Sequence, residues 1–142
     1  LHSIYVAKRD LFILSRLNAT TNEVNRSLET YAFANATTAL HSFLLYDFCD
    51  VYLELVKPVF ANVTDEHHYE KKRVTQATLY TVLEQFLRLL HPFMPFITEE
   101  LWQRLPLRDQ LTEEPSIMLA PYPKDIDEWT NAAAERDMGI VK

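Results

Sequence analysis

Apolar residues recur at helical spacing along most of the chain. Between Asp10 and Glu29 they stand at positions 14, 17, 24 and 28, with a threonine at 21, so that they share one side of a helix. From Tyr31 to Leu55 apolar side chains fall on nearly every side, which is typical of a helix at the centre of a bundle. Pro58 is expected to end this second helix, because proline disfavours the helical conformation in the residue before it.

The second half of the chain predicts two further helices and a less regular end. The polar stretch 61–70 indicates a loop, and a third helix is expected from about Lys72 to Leu90. The segment 91–96 breaks it with two prolines, and Pro95 suits the first turn of a fourth helix running to about Leu105. Four prolines make residues 106–125 irregular, with a short extended piece at 116–119, and residues 126–142 have the pattern of a truncated C-terminal helix.

These elements predict an all-α fold, a helical bundle of four to five helices that forms one domain over residues 1–142, with its core at 10–105. The composition agrees, since 48% of the residues are hydrophobic and 24% are charged. The single glycine, Gly139, argues against a fold with many tight β-turns and against a glycine-rich phosphate loop.

The net charge of −6 is unusual for a nucleic-acid binder, because phosphates are normally met by a basic surface. The acidic residues are unevenly distributed, however. Residues 105–142 carry eight acids and four bases, whereas residues 1–104 carry twelve and ten. The main body is therefore nearly balanced, and a local basic face is compatible with the sequence.

Few residues are arranged for chemistry. The adjacent His67 and His68 have no cysteine or glutamate at zinc-ligand spacing, so no metal site is predicted. Asp47, Asp50 and Glu54 share one side of the second helix, and we assign them a structural role, such as bonding an arginine of a neighbouring helix, rather than acid–base catalysis. The lone Cys49 cannot form an internal disulfide, which suits a reducing compartment.

Two sequence blocks resemble one family. Residues 89–102, Leu-Leu-His-Pro-Phe-Met-Pro-Phe-Ile-Thr-Glu-Glu-Leu-Trp, resemble a helix–break–helix segment of the anticodon-binding domains in the valine, isoleucine, leucine and methionine class I aminoacyl-tRNA synthetases. Residues 49–54, Cys-Asp-Val-Tyr-Leu-Glu, followed by Lys57-Pro58, resemble the valyl-tRNA synthetases in particular. The family's catalytic signatures, similar to His-Ile-Gly-His and Lys-Met-Ser-Lys-Ser, do not occur in this chain.

The resemblance implies a function as well as a fold. It implies a fragment that recognises the anticodon loop of valine tRNA, has no catalytic site or cofactor of its own, and works beside a catalytic domain of the same polypeptide that uses ATP to attach valine. A cytoplasmic location is expected, without excluding a mitochondrial form, and no membrane association is expected because no apolar run of about 18 residues occurs.

The contact surface is expected at the corner between the first and second helices. Phe33 is predicted to stack on a base, Asn22 and Asn35 to bond base edges, and Arg16 and Arg26 to contact phosphates or bases. The basic run Lys71-Lys72-Arg73 is interpreted as a solvated helix end.

Three alternatives remain open from the sequence. The first is the anticodon-binding domain of a sister synthetase, for isoleucine or leucine. The second is a helical bundle for protein interaction, which the acidic balance keeps open. The third is a free-standing helical enzyme that uses Asp47, Asp50 and Glu54.

Overall fold

The computed structural model describes residues 6–61, 66–106 and 114–139, and in these ranges it contains helices and no strands. The α-helices are α1 (Lys8–Glu29), α2 (Phe33–Ser42), α3 (Glu54–Phe60), α4 (Glu66–Leu90), α5 (Pro95–Gln103) and α6 (Ala132–Gly139). A π-helical segment, Phe43–Leu53, joins α2 to α3, and single 3-10 turns occur at Ile117–Leu119 and Asp127–Trp129. The predicted all-α fold is confirmed.

The main core lies among α1, α2, the π-helical segment and α4. Its most deeply buried large side chains include Ile13, Leu17, Phe43, Tyr52 and Leu89. A second, smaller cluster of Leu87, Trp102, Leu105 and Ile117 joins α4 to α5 and the first 3-10 turn. Burying one such aliphatic or aromatic side chain contributes about 1.5–3 kcal/mol, so these two clusters hold the bundle together.

The second helix extends further than predicted. Pro58 does not end it, since α3 includes Pro58 and ends at Phe60. Val56 and Val59, on either side of the proline, are buried. The burial of these side chains compensates for the backbone hydrogen bond that proline cannot donate.

The π-helical segment changes which side chains share a face. A π-helix bonds residue i to i+5, so it has more residues per turn than an α-helix, and side chains three or four apart no longer align. Asp47 is accordingly buried, whereas Asp50 and Glu54 are exposed. The predicted common face of the three carboxylates is wrong, and the predicted bond to a neighbouring arginine is made by Asp47 alone.

The predicted third helix, which is α4 in the structure, begins earlier than predicted. It starts at Glu66, so residues 66–70 are not a loop, and residues 62–65 lie outside the described part of the chain. Residues 66–70 lack an apolar stripe, but they contain neither glycine nor proline and do not resist helix formation. The run Lys71-Lys72-Arg73 consequently lies in the second turn of α4, with Lys71 and Arg73 exposed.

The break before α5 is as predicted. Residues 91–94 form turns, and Pro95 occupies the first turn of α5, where its missing N–H is not needed. Residues 116–119 are not extended, however. The Ser116 hydroxyl accepts a bond from Met118 N at 3.2 Å and starts a 3-10 turn that buries Ile117 against α4 and α5.

The C-terminal segment packs back onto α1. Asn18 accepts a bond from Ile126 N at 2.7 Å and donates one to Thr130 Oγ1 at 3.1 Å. Ala134 and Met138 of α6 are buried in the main core. Of the predicted helix 126–142, the regular part is therefore α6, and residues 140–142 lie outside the described ranges.

Candidate nucleic-acid interface

The connection between α1 and α2 is a helix cap of an uncommon kind. Ala32 N donates to Ser27 O at 2.7 Å and Tyr31 N donates to Leu28 O at 3.2 Å, which is the hydrogen-bond pattern of a Schellman motif. The motif requires a residue in the left-handed conformation at position 31, and the φ of Tyr31 is +57°. Glycine is usual at this position, since a side chain there costs roughly 1–2 kcal/mol. The fold thus holds a tyrosine at a strained position.

The strained cap displays two aromatic rings to solvent. Tyr31 is 80% exposed and Phe33, the first residue of α2, is 54% exposed. Their ring centroids lie 6.3 Å apart with an angle of 84° between the planes, an edge-to-face arrangement. Phe33 is therefore not a core residue, and the pair offers apolar faces on which unstacked bases can lie.

Three of the other predicted residues belong to the same corner. Asn22 and Arg26 are exposed on the last two turns of α1, and Asn35 is exposed in the first turn of α2. Arg26 keeps an exposed side chain, although one of its Nη atoms pairs with Glu23 on the same helix. The two helix ends that meet at the aromatic pair thus also carry one exposed guanidinium and two exposed amides, which together supply hydrogen-bond donors and acceptors.

Arg16 lies elsewhere and already has partners within the chain. It precedes Arg26 by ten residues, which places it about 15 Å away along α1. Its Nε bonds Asp47 Oδ2 at 3.0 Å and its Nη1 lies 3.4 Å from Glu135 Oε2. Burial disfavours the Arg16 cation, but the hydrogen bonds and charges of Asp47 and Glu135 outweigh burial and raise its pKa. Its predicted contact with tRNA stays a prediction, and the structure gives it a part in holding α1, the π-helical segment and α6 together.

Tyr31 is a residue of the candidate site that the sequence pattern does not predict. The hydrophobic pattern predicts Tyr31 as the first residue of a continuous second helix. Two features of the sequence could have indicated an unusual cap. No glycine or asparagine stands between the two helical stripes, and the aromatic residues Tyr31 and Phe33 are spaced two apart there.

The rest of the described chain offers little else for chemistry. No group of three or more histidine, cysteine, aspartate or glutamate side chains in residues 6–61, 66–106 and 114–139 is placed to hold a metal ion. Within those ranges no helix has both the length and the apolar character needed to cross a membrane.

The family assignment follows from sequence comparison. The family model described as the anticodon-binding domain of tRNA ligase matches residues 10–142. Since this match covers nearly the whole chain, the chain belongs to that family of anticodon-binding domains.

Its relatives define the branch of the family. The chain is 45% identical over 139 residues to a valine–tRNA ligase of Takifugu rubripes, covering 94% of this chain and 11% of that protein. It is 44% identical over 135 residues to a valine–tRNA ligase of Legionella pneumophila strain Paris, covering 94% of this chain and 14% of that protein. It is 43% identical over 131 residues to mitochondrial valine–tRNA ligase 1 of Arabidopsis thaliana, covering 92% of this chain and 12% of that protein.

These relatives confirm the resemblance to the anticodon-binding domain of valyl-tRNA synthetases and do not favour the sister-synthetase alternative. The chain spans between 11% and 14% of the length of these three relatives.

Proposed function

We propose that this chain binds the anticodon loop of a valine tRNA through the corner between α1 and α2. In the proposed parent enzyme a separate catalytic domain attaches valine to that tRNA with the use of ATP. The observation that carries the proposal is the aromatic pair Tyr31 and Phe33, exposed at a strained cap in a domain of this family.

The chemistry of an anticodon loop fits this corner. Its bases are unstacked, so their faces are free to lie on aromatic rings and their pairing edges are free for hydrogen bonds. Stacking on one aromatic side chain contributes about 1–3 kcal/mol per base. Asn22 and Asn35 would bond base edges, and Arg26 would contact a phosphate or a base edge. We assign Arg16 to the scaffold instead, since Asp47 and Glu135 occupy its guanidinium.

The negative net charge does not contradict the proposal, because the acidic residues are unevenly distributed along the sequence. Of the twenty acidic residues, eight lie in residues 105–142. Near the corner Glu23 pairs with Arg26 and Glu29 is exposed three residues further along α1, so the electrostatic contribution to RNA binding is expected to be small. Stacking and hydrogen bonding would supply most of the affinity, and the salt dependence should be shallow.

The test is titration of the chain with a labelled valine-tRNA anticodon stem-loop at low and moderate salt. A second stem-loop with changed anticodon bases but the same stem serves as the control. The expected result is tighter binding of the valine stem-loop and a modest loss of affinity as salt rises. Equal affinity for both RNAs would remove the proposed recognition, and no binding at low salt would overturn the proposal for this chain. If the chain bound a protein partner and neither stem-loop, the protein-interaction alternative would be favoured.

A further inference from the structure

A second pair of exposed aromatic rings lies further along the helix that begins at the corner between α1 and α2. His41 is exposed near the end of α2, and Tyr46 of the π-helical segment is 56% exposed, about as much as Phe33. The ring centroids of His41 and Tyr46 lie 6.5 Å apart with an angle of 79° between the planes. Tyr31 and Phe33 make the same edge-to-face arrangement at the corner.

The change from α-helix to π-helix after Ser42 brings this second pair together. Residues five apart on an α-helix point about 140° away from each other, so His41 and Tyr46 would not meet on a continued α2. The turns of the π-helical segment are wider, because residue i bonds i+5, and they place Tyr46 one turn beyond His41 on the same side. π-helical turns are rare in proteins and frequently occur at functional sites.

One exposed side of α2 connects the two aromatic pairs. Phe33, Thr37 and His41 follow one another at steps of four, so they lie along one side of the helix, and Thr37 is exposed between the two rings. Eight residues separate Phe33 from His41, which is about 12 Å at 1.5 Å per residue. At about 3.4 Å per nucleotide, three to four stacked nucleotides cover this distance. A strand held at the corner is therefore long enough to reach the second pair.

The stretch that contains both aromatic pairs has no carboxylate, although the chain has a net charge of −6. Residues 30–46 are the longest stretch of the sequence without an aspartate or glutamate. The next acid, Asp47, is buried and bonds Arg16, and Asp50 is the next exposed one. Residues 30–46 also contain no lysine or arginine, so they offer aromatic faces rather than charge. Such a surface suits stacked bases and has no carboxylate of its own to repel the adjoining phosphates.

We propose that Tyr46 is a second stacking platform for the same RNA, with His41 nearly perpendicular beside it. A base of the loop that the corner does not hold stacks on the Tyr46 ring, and the His41 ring fixes the orientation of that ring. Two platforms on one helix bind a stretch of strand rather than a single base. This inference rests on the proposed function, because the RNA must first be held at the corner.

Substitution of the Tyr46 ring tests the platform from the protein side. Tyr46→Ala should weaken binding of the valine stem-loop about tenfold, as expected for the loss of one stacking surface. Tyr46→Phe keeps the ring and should restore most of that affinity. Tyr69→Ala removes an exposed tyrosine ring on α4 and is the matched control, which should bind as wild type does. An equal loss in the Tyr69→Ala protein, or no loss in the Tyr46→Ala protein, would overturn the assignment.

His41 acts as a positioning residue, so its effect should depend on Tyr46. His41→Ala should weaken binding about threefold, because the Tyr46 ring loses its aromatic neighbour. In the Tyr46→Ala background the same substitution should have no further effect. An equal loss in both backgrounds would show that His41 contacts the RNA by itself, and its positioning role would be wrong.

Removal of single bases tests the contact from the RNA side. Stem-loops with an abasic residue at one loop position at a time are titrated with the wild-type, Tyr46→Ala and Phe33→Ala proteins. At one position the loss of the base and the loss of the Tyr46 ring should not add, because both remove the same stacking contact. A different position should couple to Phe33. If one position couples to Phe33 and none to Tyr46, the second platform is wrong and the proposed function stands. If the wild-type chain binds no stem-loop, both fail together.

Discussion

The middle and the C-terminal end of α1 carry arginines in opposite situations. Arg16 sits where α1, the π-helical segment and α6 meet, and its guanidinium bonds Asp47 and Glu135. Arg26 sits ten residues later beside the exposed aromatic corner and pairs only locally with Glu23. The periodicity of α1 places both outside the apolar stripe, yet the structure uses one for cohesion and leaves the other at the surface. Side chains that look equivalent on a helix differ according to what packs over them.

The same contrast holds for the surrounding polar groups. Beside Arg16 the polar side chains bond other groups of the protein. Ser15 Oγ, for example, donates to Glu135 Oε1 at 2.5 Å and accepts from Asn131 N at 2.9 Å. At the corner, Asn22 and Asn35 are exposed. A saturated polar network stabilises the fold, whereas exposed donors and acceptors beside aromatic rings are suited to a partner.

The largest effect is expected when the Arg16 cation is removed. Arg16→Met keeps the aliphatic stem and leaves the buried Asp47 carboxylate without its guanidinium partner. We expect a loss of about 2–3 kcal/mol in the free energy of unfolding, less than for a fully buried pair because Arg16 is partly exposed. Urea denaturation measures this loss.

Arg26→Met is the matched control for that substitution. An exposed pair at i,i+3 contributes about 0.5 kcal/mol or less, so stability should hardly change while affinity for the stem-loop falls. If both variants lost equal stability, the contrast between the middle and the C-terminal end of α1 would be wrong. Loss of RNA affinity by a folded Arg16→Met protein would restore Arg16 to the binding site.

The next effect in size concerns the exposed aromatic ring of α2. Phe33→Ala should lower affinity for the valine stem-loop by about 2 kcal/mol, or roughly thirtyfold, because one base loses its stacking surface. The unfolding free energy should change little, since about half of the side chain already faces solvent. Fluorescence anisotropy at fixed salt measures the affinity.

The control is Tyr69→Ala, which removes another exposed ring, on the first turns of α4. It should leave the affinity unchanged. An equal loss in both variants would mean that the RNA contacts exposed aromatic side chains without preference for the corner.

How far the sequence predicts this molecule depends on the kind of interaction. The stripe of α1, the break at 91–96 and the helix start at Pro95 were predictable because local spacing and proline chemistry determine them. The π-helical segment was not, because its wider turns follow from packing in the core, and no local residue signals them. That single change misplaced Asp50 and Glu54, which were expected to lie with Asp47.

The candidate site was predictable to a similar degree. The exposure of Asn22, Arg26, Phe33 and Asn35 was predictable, because they stand outside the apolar stripes where two hydrophobic patterns meet. The partners of Arg16 come from α6 and the π-helical segment, 119 and 31 residues away, and helical spacing carries no information about such contacts. Tyr31 was missed for the opposite reason, since its left-handed conformation is a local feature that contradicts the preference of the residue.

The smallest effect is the most informative about the corner, because it should change stability and binding in opposite directions. Tyr31→Gly replaces a left-handed tyrosine, with φ of +57°, by the residue that a Schellman cap favours. We expect the unfolding free energy to rise by about 1 kcal/mol, because the ring is 80% exposed and little packing is lost. Affinity for the stem-loop should fall at the same time, since a base loses one of two aromatic surfaces.

Tyr31→Asn separates the two causes, because asparagine also tolerates the left-handed conformation while lacking the ring. It should bind RNA as weakly as the glycine variant. A glycine variant that is more stable and binds RNA as well as wild type would show that the strained tyrosine serves something other than stacking, and a less stable one would show that its ring contributes to the fold.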